Sequence, residues 1–351
     1  MPSLGLDGSV FRGSLPPMMG HGMNKVTIER GSDYSKSFQK LRPLIVNSAG
    51  VKYVDFLKTL SPRYSRLYLD IALGYAALIS TCVLVVALPA NGILPAWTAA
   101  GLGAVSVGFW VAYLQLFIHE GAHFNFSPDR ARSDNLCNLL IAWMIGTSVQ
   151  KYRIVHFQHH RALGTVEDSE MTYFFPLNLL FIVKGLLGIR VLEVVASRKT
   201  VQATKETVRD DRGKYVGLVG LIAHIVIVAA TYLFGSVWLS LAWVAGVGSV
   251  FPFFGALRQL LEHRDECADA HSNYFETDHG AYTRMFGADV FSSIFGGAGF
   301  NRHLLHHWEP SISYTNLPEV EAYLLDTDVA QLIEMRRSSY FKTFASLFHV
   351  H

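Results

Sequence analysis

Residues 67–123 read LYLDIALGYAALISTCVLVVALPANGILPAWTAAGLGAVSVGFWVAYLQLFIHEGAH. No Lys or Arg occurs between Arg66 and Arg130, and the only acids in this stretch are Asp70 near its start and Glu120 near its end. A helix rises about 1.5 Å per residue, so about 20 apolar residues cross a hydrocarbon layer about 30 Å thick. The stretch therefore holds two spans, 67–90 and 93–118, split by Pro89-Ala90-Asn91-Gly92. Further along, Tyr215 to Leu257 is uncharged and holds two more, 215–234 and 237–257, split by Gly235-Ser236. Connections this short leave room only for hairpins. The expected fold is all-α, a polytopic membrane protein with four transmembrane helices in two hairpins and a cytosolic helical cap.

Charge placement orients this arrangement. All 30 Lys and Arg lie before, between or after the two hairpins. The positive-inside rule then puts both termini and the central segment in the cytosol. Across the 351 residues half are hydrophobic, 17% are charged and the formal net charge is +2. That balance excludes a largely disordered chain and argues against a nucleic-acid partner. Cys82, Cys137 and Cys267 form no CxxC pair, which excludes a disulfide scaffold and an in-chain iron–sulfur cluster. Residues 1–60 are polar and lack an apolar start resembling a signal peptide. Segment 53–60 is expected to lie along the membrane surface, and segments 135–149 and 174–189, too short to span, are expected to form buried or re-entrant helices, the latter interrupted by Pro176 and Lys184. The expected organisation is an N-terminal cytosolic or interfacial segment (1–66), a four-span domain with its cap (67–318) and a soluble helical tail (319–351).

Histidine is the residue in surplus. Eight of the 15 fall in three tight groups: His119 and His123; His156, His159 and His160; and His303, His306 and His307. Positions i, i+3 and i+4 share one helix face, so each group aims its imidazoles one way, as metal coordination requires. The first box ends the second span and the other two lie in cytosolic segments. The topology derived from charge thus lets all three meet on one side. Eight rings are too many for one ion, since a catalytic zinc takes three protein ligands. Two ions with open positions use the count. His263, where the fourth span runs on past the bilayer, is a candidate ninth ligand. His224, in the middle of span three, is expected to make a neutral interhelical hydrogen bond. His271 and His279 read as surface or supporting residues, and His21, His349 and His351 as solvated.

One reading from another class competes. His119-Glu120-Gly121-Ala122-His123 fits HExxH, the zinc metalloprotease pattern with Glu120 as general base. It leaves both HxxHH boxes unexplained. Haem carriage needs paired histidines at mid-membrane depth, and only His224 lies there.

The boxes, with Gly299-Phe-Asn-Arg-His-Leu-Leu-His-His-Trp-Glu-Pro-Ser-Ile-Ser-Tyr-Thr-Asn-Leu-Pro318 and His156-Phe-Gln-His-His-Arg-Ala-Leu-Gly-Thr165, resemble the membrane fatty acid desaturase/hydroxylase superfamily. The resemblance runs from span one to Pro318. It implies a four-span bundle whose cytosolic cap holds two iron ions, with O₂ as co-substrate. His263 matches the lone histidine that completes the ligand set in acyl-CoA desaturases. Their nearby Asn, which reaches a metal through water, is replaced here by Gln259. The activity implied is fatty acid desaturation, with hydroxylation or oxidative decarboxylation to a terminal alkene as alternatives. The acyl chain would enter an apolar tunnel among the spans. Electrons would come from a separate carrier, such as a ferredoxin or cytochrome b5 with its reductase. Glu120, Asp168, Glu262 and Glu309 are the acids beside the boxes that are candidates to orient imidazoles. Lys184, Arg190, Arg198, Lys199, Lys205, Arg209, Arg212 and Lys214 are candidates to meet an anionic head group or membrane lipid.

Overall fold

Helix is the only extended regular structure among the described residues, and three isolated bridges are the sole β-type pairings there. A helix pairs its own backbone groups, which lipid cannot do for it. The computed structural model describes residues 31–190, 192–193 and 211–348. His21, His349 and His351 lie outside the described residues. So do Arg198, Lys199, Lys205, Arg209 and the side chains of Arg212 and Lys214.

The elements are α1 (Ser35–Leu41), α2 (Tyr53–Thr59), α3 (Tyr64–Ala90), α4 (Ala96–Gln115), α5 (Phe117–Ala122), α6 (Arg130–Leu140), α7 (Val149–Ala162) and α8 (Leu179–Leu186). They continue with α9 (Asp211–Ala230), α10 (Val237–Ala245), α11 (Phe251–His263), α12 (Val290–Phe295), α13 (His303–Trp308), α14 (Leu317–Leu325), α15 (Ala330–Met335) and α16 (Tyr340–Leu347).

Four helices are long and apolar enough to cross a membrane: Tyr64–Ala90, Ala96–Ala122, Tyr215–Phe234 and Val237–His263. The protein is an integral membrane protein. The second span starts later than its apolar run, because Pro95 precedes its first turn while Ile93 and Leu94 still bond to Leu88 O. It also runs further, through α5, and so carries His119. Large apolar side chains such as Leu73, Val83, Leu102, Leu221 and Ile225 are exposed along the spans. Lipid, not water, is the solvent that suits such faces.

Close approach sets how the spans pack. α4 lies against α3, α10 and α11. A Cβ on Gly108 would sit 2.5 Å from Val250 Cβ, and one on Gly246 would sit 2.7 Å from Val107 Cγ1. Small residues at these two points let the backbones touch, as at other membrane helix interfaces. Between α10 and α11 the helix loosens into a π-turn over Gly246–Val250. His224 does what its sequence position suggested: Trp243 Nε1–H donates to its Nδ1 (3.2 Å) and its Nε2–H donates to Met144 O (2.9 Å).

Outside the spans, the expected short helices differ in detail. Segment 135–149 is not one helix. α6 ends at Leu140 and a 3₁₀ turn over Ala142–Ile145 stops at Gly146, whose φ is +70°. Within 174–189, α8 begins after Asn178, whose side chain accepts from Phe181 N–H. Lys184 and Arg190, candidates for anionic lipid, both pair with Glu193 at 2.7 Å. Tyr34, Phe38 and Tyr53 of the N-terminal elements share a core with Leu304, Leu305 and Trp308 of α13 and with Leu324 and Ile333. A second core joins Tyr173 and Phe174 to Leu257 and Leu260 of α11 and to Tyr340 and Leu347 of α16. These two cores fix α13 and the end of α11.

Candidate metal centre

Each histidine box is presented by a helix whose other face is buried. In α13, Leu304, Leu305 and Trp308 fill the core, which turns His303, His306 and His307 the opposite way. α5 sits directly on α6: a Cβ on Gly121 would lie 2.2 Å from Cys137 Sγ, so only glycine fits between the two box-one histidines at that point. α7 starts at Ser148, whose hydroxyl accepts from Lys151 N–H, and its second half carries His156, His159 and His160.

The structure brings all nine candidate histidines together, in two groups. His119, His123, His156, His160 and His306 form one; His159, His263, His303 and His307 form the other. Within each group the potential ligand atoms lie within 4.8 Å of one another. Both HxxHH boxes split by the same rule. The i and i+4 rings go to one group and the i+3 ring goes to the other, with the two boxes assigned oppositely. Nε2–Nε2 separations are 2.8 Å for His119–His306, 3.0 Å for His123–His156 and 2.9 Å for His160–His156, His306–His160 and His303–His263. Every ring of the four-membered group is buried, while His123 and His160 are partly exposed.

Oxygen atoms behind the rings aim them. His159 Nδ1–H faces both Asp168 oxygens (2.9 and 3.1 Å), and Asp168 is held in turn by Tyr173 O–H and the backbone N–H groups of Gly164 and Glu170. His263 Nδ1–H donates to Tyr282 O at 2.9 Å. Glu170, not singled out from sequence, lies 3.5 Å from His156 Nδ1 and accepts from Gln259 Nε2. Gln259 Oε1 accepts from Thr172 N–H and O–H, so both ends of this amide are engaged by Glu170 and Thr172. An Asp-Ser-Glu run just after the second box was the available signal for Glu170. Glu262 pairs with Arg258 and lies 3.8 Å from His303 Nε2. Glu309 does not orient a box ring; Arg42 pairs with it at 2.5 Å, on the side of α13 that faces the N-terminal elements. His279 is also supporting, with Nδ1–H on Gly280 O and a T-shaped contact to Tyr173.

Glu120 is 3.7 Å from His119 Nδ1, and its Oε2 accepts from Asn125, Ser313 O–H and Tyr314 N–H. A general base tied down this way, beside five converging imidazoles, does not match the three-ligand zinc protease arrangement.

The donor chemistry fits bound cations. Burial, then the neighbouring rings, push His156, His160, His303, His306 and His307 well below the ordinary imidazole range, which keeps them neutral and able to coordinate. His123 is pushed down to about 3 by burial and by Arg153. His159 alone goes the other way: burial opposes its charge, but Asp168 and Glu170 outweigh that and raise it to about 9. Its buried Nε2 has no protein partner. That atom faces its three companion rings, and a cation there satisfies it. Metal–imidazole bonds of about 2.0–2.1 Å put adjacent nitrogens of an octahedron about 2.9 Å apart, which matches the separations above. Five rings also exceed a tetrahedral shell.

A family model described as fatty acid desaturase matches residues 95–339, more than half of the chain, and spans all three boxes and His263. Comparison with curated proteins gave no significant match.

Proposed function

This chain belongs to the fatty acid desaturase family, an oxidoreductase family, and on that premise we propose that it uses O₂ to desaturate a membrane-borne fatty acyl chain. The observation that carries this reading is the convergence of nine imidazoles into a group of five and a group of four at the ends of spans two and four. Two iron ions held by these groups would supply O₂ activation and hydrogen abstraction from an unactivated carbon, chemistry no side chain performs alone.

The protein's own part is positioning. Asp168 and Tyr282 O accept hydrogen bonds from the Nδ1–H groups of His159 and His263, which leaves Nε2 of each ring as the atom for a metal. Glu170, steadied by Gln259, stands 3.5 Å from His156 Nδ1 without a formed hydrogen bond and acts on that ring through its charge. The acyl chain would approach the centre between spans two and four, where Phe109, Tyr113, Phe254 and Phe295 line a narrow cleft with Arg258 that has to widen to admit it. The Arg258 guanidinium lies 4.0 Å over Phe300, whose ring packs against both His303 (4.9 Å) and His119 (4.7 Å). This aromatic wall keeps water from the reacting carbon. Electrons arrive from a separate carrier, a ferredoxin or cytochrome b5 type with its reductase. The centre and both termini face the cytosol; labelling of Asn91 or Ser236 from the cytosolic side would overturn that sidedness.

The test is lipid and hydrocarbon analysis of cells making the protein beside its His306→Ala variant. A new double bond that the variant lacks is the expected result. A new alcohol, or an alkene one carbon shorter, would reassign the product to hydroxylation or decarboxylation. No difference between the two strains would end the reading.

A further inference from the structure

The residue after the first box has a backbone that its side chain should avoid. Phe124 has φ +62°, the left-handed region usual for glycine at a helix end. Glycine would end α5 without strain, so the ring is there for a contact. The nearest such contact is Arg153, whose guanidinium lies 3.7 Å over the Phe124 ring, with Arg130 further off at 5.0 Å.

Arg153 reaches three segments at once. Its Nε–H donates to Ala122 O (2.7 Å) and its Nη2–H to Gly121 O (3.0 Å), the last carbonyls of α5; Gly121 O also accepts from Phe124 N–H (3.1 Å). Its other contacts run to both carboxylate oxygens of Asp134 on α6. The residue itself belongs to α7, one turn before His156. The end of box one is therefore clamped to the start of box two by a single planar fork. The rings on the two sides of the clamp, His123 and His156, are 3.0 Å apart at Nε2.

We propose that Arg153 is a positioning residue for the five-histidine group: its fork and the strained Phe124 set the distance between His123 and the second-box rings and so complete that ion site. Of the four-histidine group only His159 lies on α7, and its ring is fixed separately by Asp168, so that group depends less on the clamp. The inference rests on the two-ion reading above. Lysine does not replace the fork, because a single ammonium cannot serve two carbonyls, a carboxylate and a ring in one plane.

The experiment is an anaerobic Co²⁺ titration of the metal-free full chain in detergent, read by visible absorption. Wild type is expected to take two equivalents. Arg153→Gln should weaken one of them about 10–100-fold and leave the other at wild-type affinity, the range seen when outer partners of metal ligands are lost. Adding His159→Ala should then remove the surviving signal, which assigns it to the four-histidine group. Arg153→Lys should fall between wild type and Arg153→Gln. Phe124→Gly relaxes the backbone but removes the ring, so it should weaken the same equivalent without lowering the unfolding temperature. Full retention of both equivalents in Arg153→Gln and Phe124→Gly, or equal loss of both, would overturn the proposal. Should Arg153→Gln fail to fold, Phe124→Gly decides alone. A wild type that binds fewer than two equivalents would instead count against the two-ion reading.

Discussion

The two histidine groups sit side by side yet are built differently. The group of four is fully buried, and two of its rings are fixed by short Nδ1–H···O contacts, to Asp168 and to Tyr282 O. The group of five has two partly exposed rings, and its nearest carboxylates stand off at 3.5 Å (Glu170 to His156) and 3.7 Å (Glu120 to His119). One is held from behind by acceptors; the other is held mainly by the crossing of helices α5, α7 and α13. The difference teaches that ligand count and ligand rigidity need not go together: the group with more rings has the looser support.

The harshest way to break the comparison is to remove a ring from each side. His159→Ala and His306→Ala are both expected to abolish O₂-dependent oxidation while membrane insertion persists. Iron analysis should show each keeping about one ion of two, lost from different groups. If either variant keeps full activity and both ions, the groups are not separate sites.

Acid acts next, because it reaches every ring. In the metal-free protein, imidazoles held below their unfolded value of about 6.5 contribute stability that is fully present above that pH. It is lost as pH falls towards about 3, the value for His123. His159 has the opposite sign: its contribution is complete below about 6.5 and is lost as pH rises through about 9. The contribution of these rings to thermal stability of the metal-free protein, read as wild type minus the ring variants, should therefore be greatest near pH 6.5. Loading metal should flatten the alkaline decline, since a cation at Nε2 displaces the His159 proton. A monotonic profile would contradict the assigned roles.

Smaller effects sharpen the contrast. Asp168→Asn should weaken metal at the four-histidine group by about 10–100-fold. Glu170→Gln should weaken metal at the five-histidine group by only a few-fold, as its contact is longer. Comparable losses in the two variants, read by metal titration, would show that the supports are equivalent after all.

Much of this was legible along the chain. Uncharged runs of about 20 residues announced all four membrane-capable helices, because lipid penalises charge wherever it sits. The i, i+3, i+4 spacing announced box rings with a common direction, because helical periodicity is local. His224 was legible too, as an ionisable ring in a span needing a partner. Segment 135–149 was not, since the helix breaks at Ile141, where the backbone leaves the helical region, and the 3₁₀ turn after it stops at Gly146. The direction of Glu309 was not legible, because adjacency to a box says nothing of which way a side chain faces; it faces Arg42.

By itself, the sequence determined the spans, the three boxes and the surplus of rings that calls for more than one ion. Only the tertiary structure decided how nine rings divide into five and four, which acids stand behind them, and that Arg153 clamps one box to the next. The physical reason is range. Hydropathy and helical spacing act over a few residues, whereas His119 and His306 meet across 187 residues of chain. Contacts of that separation depend on where whole helices cross, and no local pattern encodes that crossing.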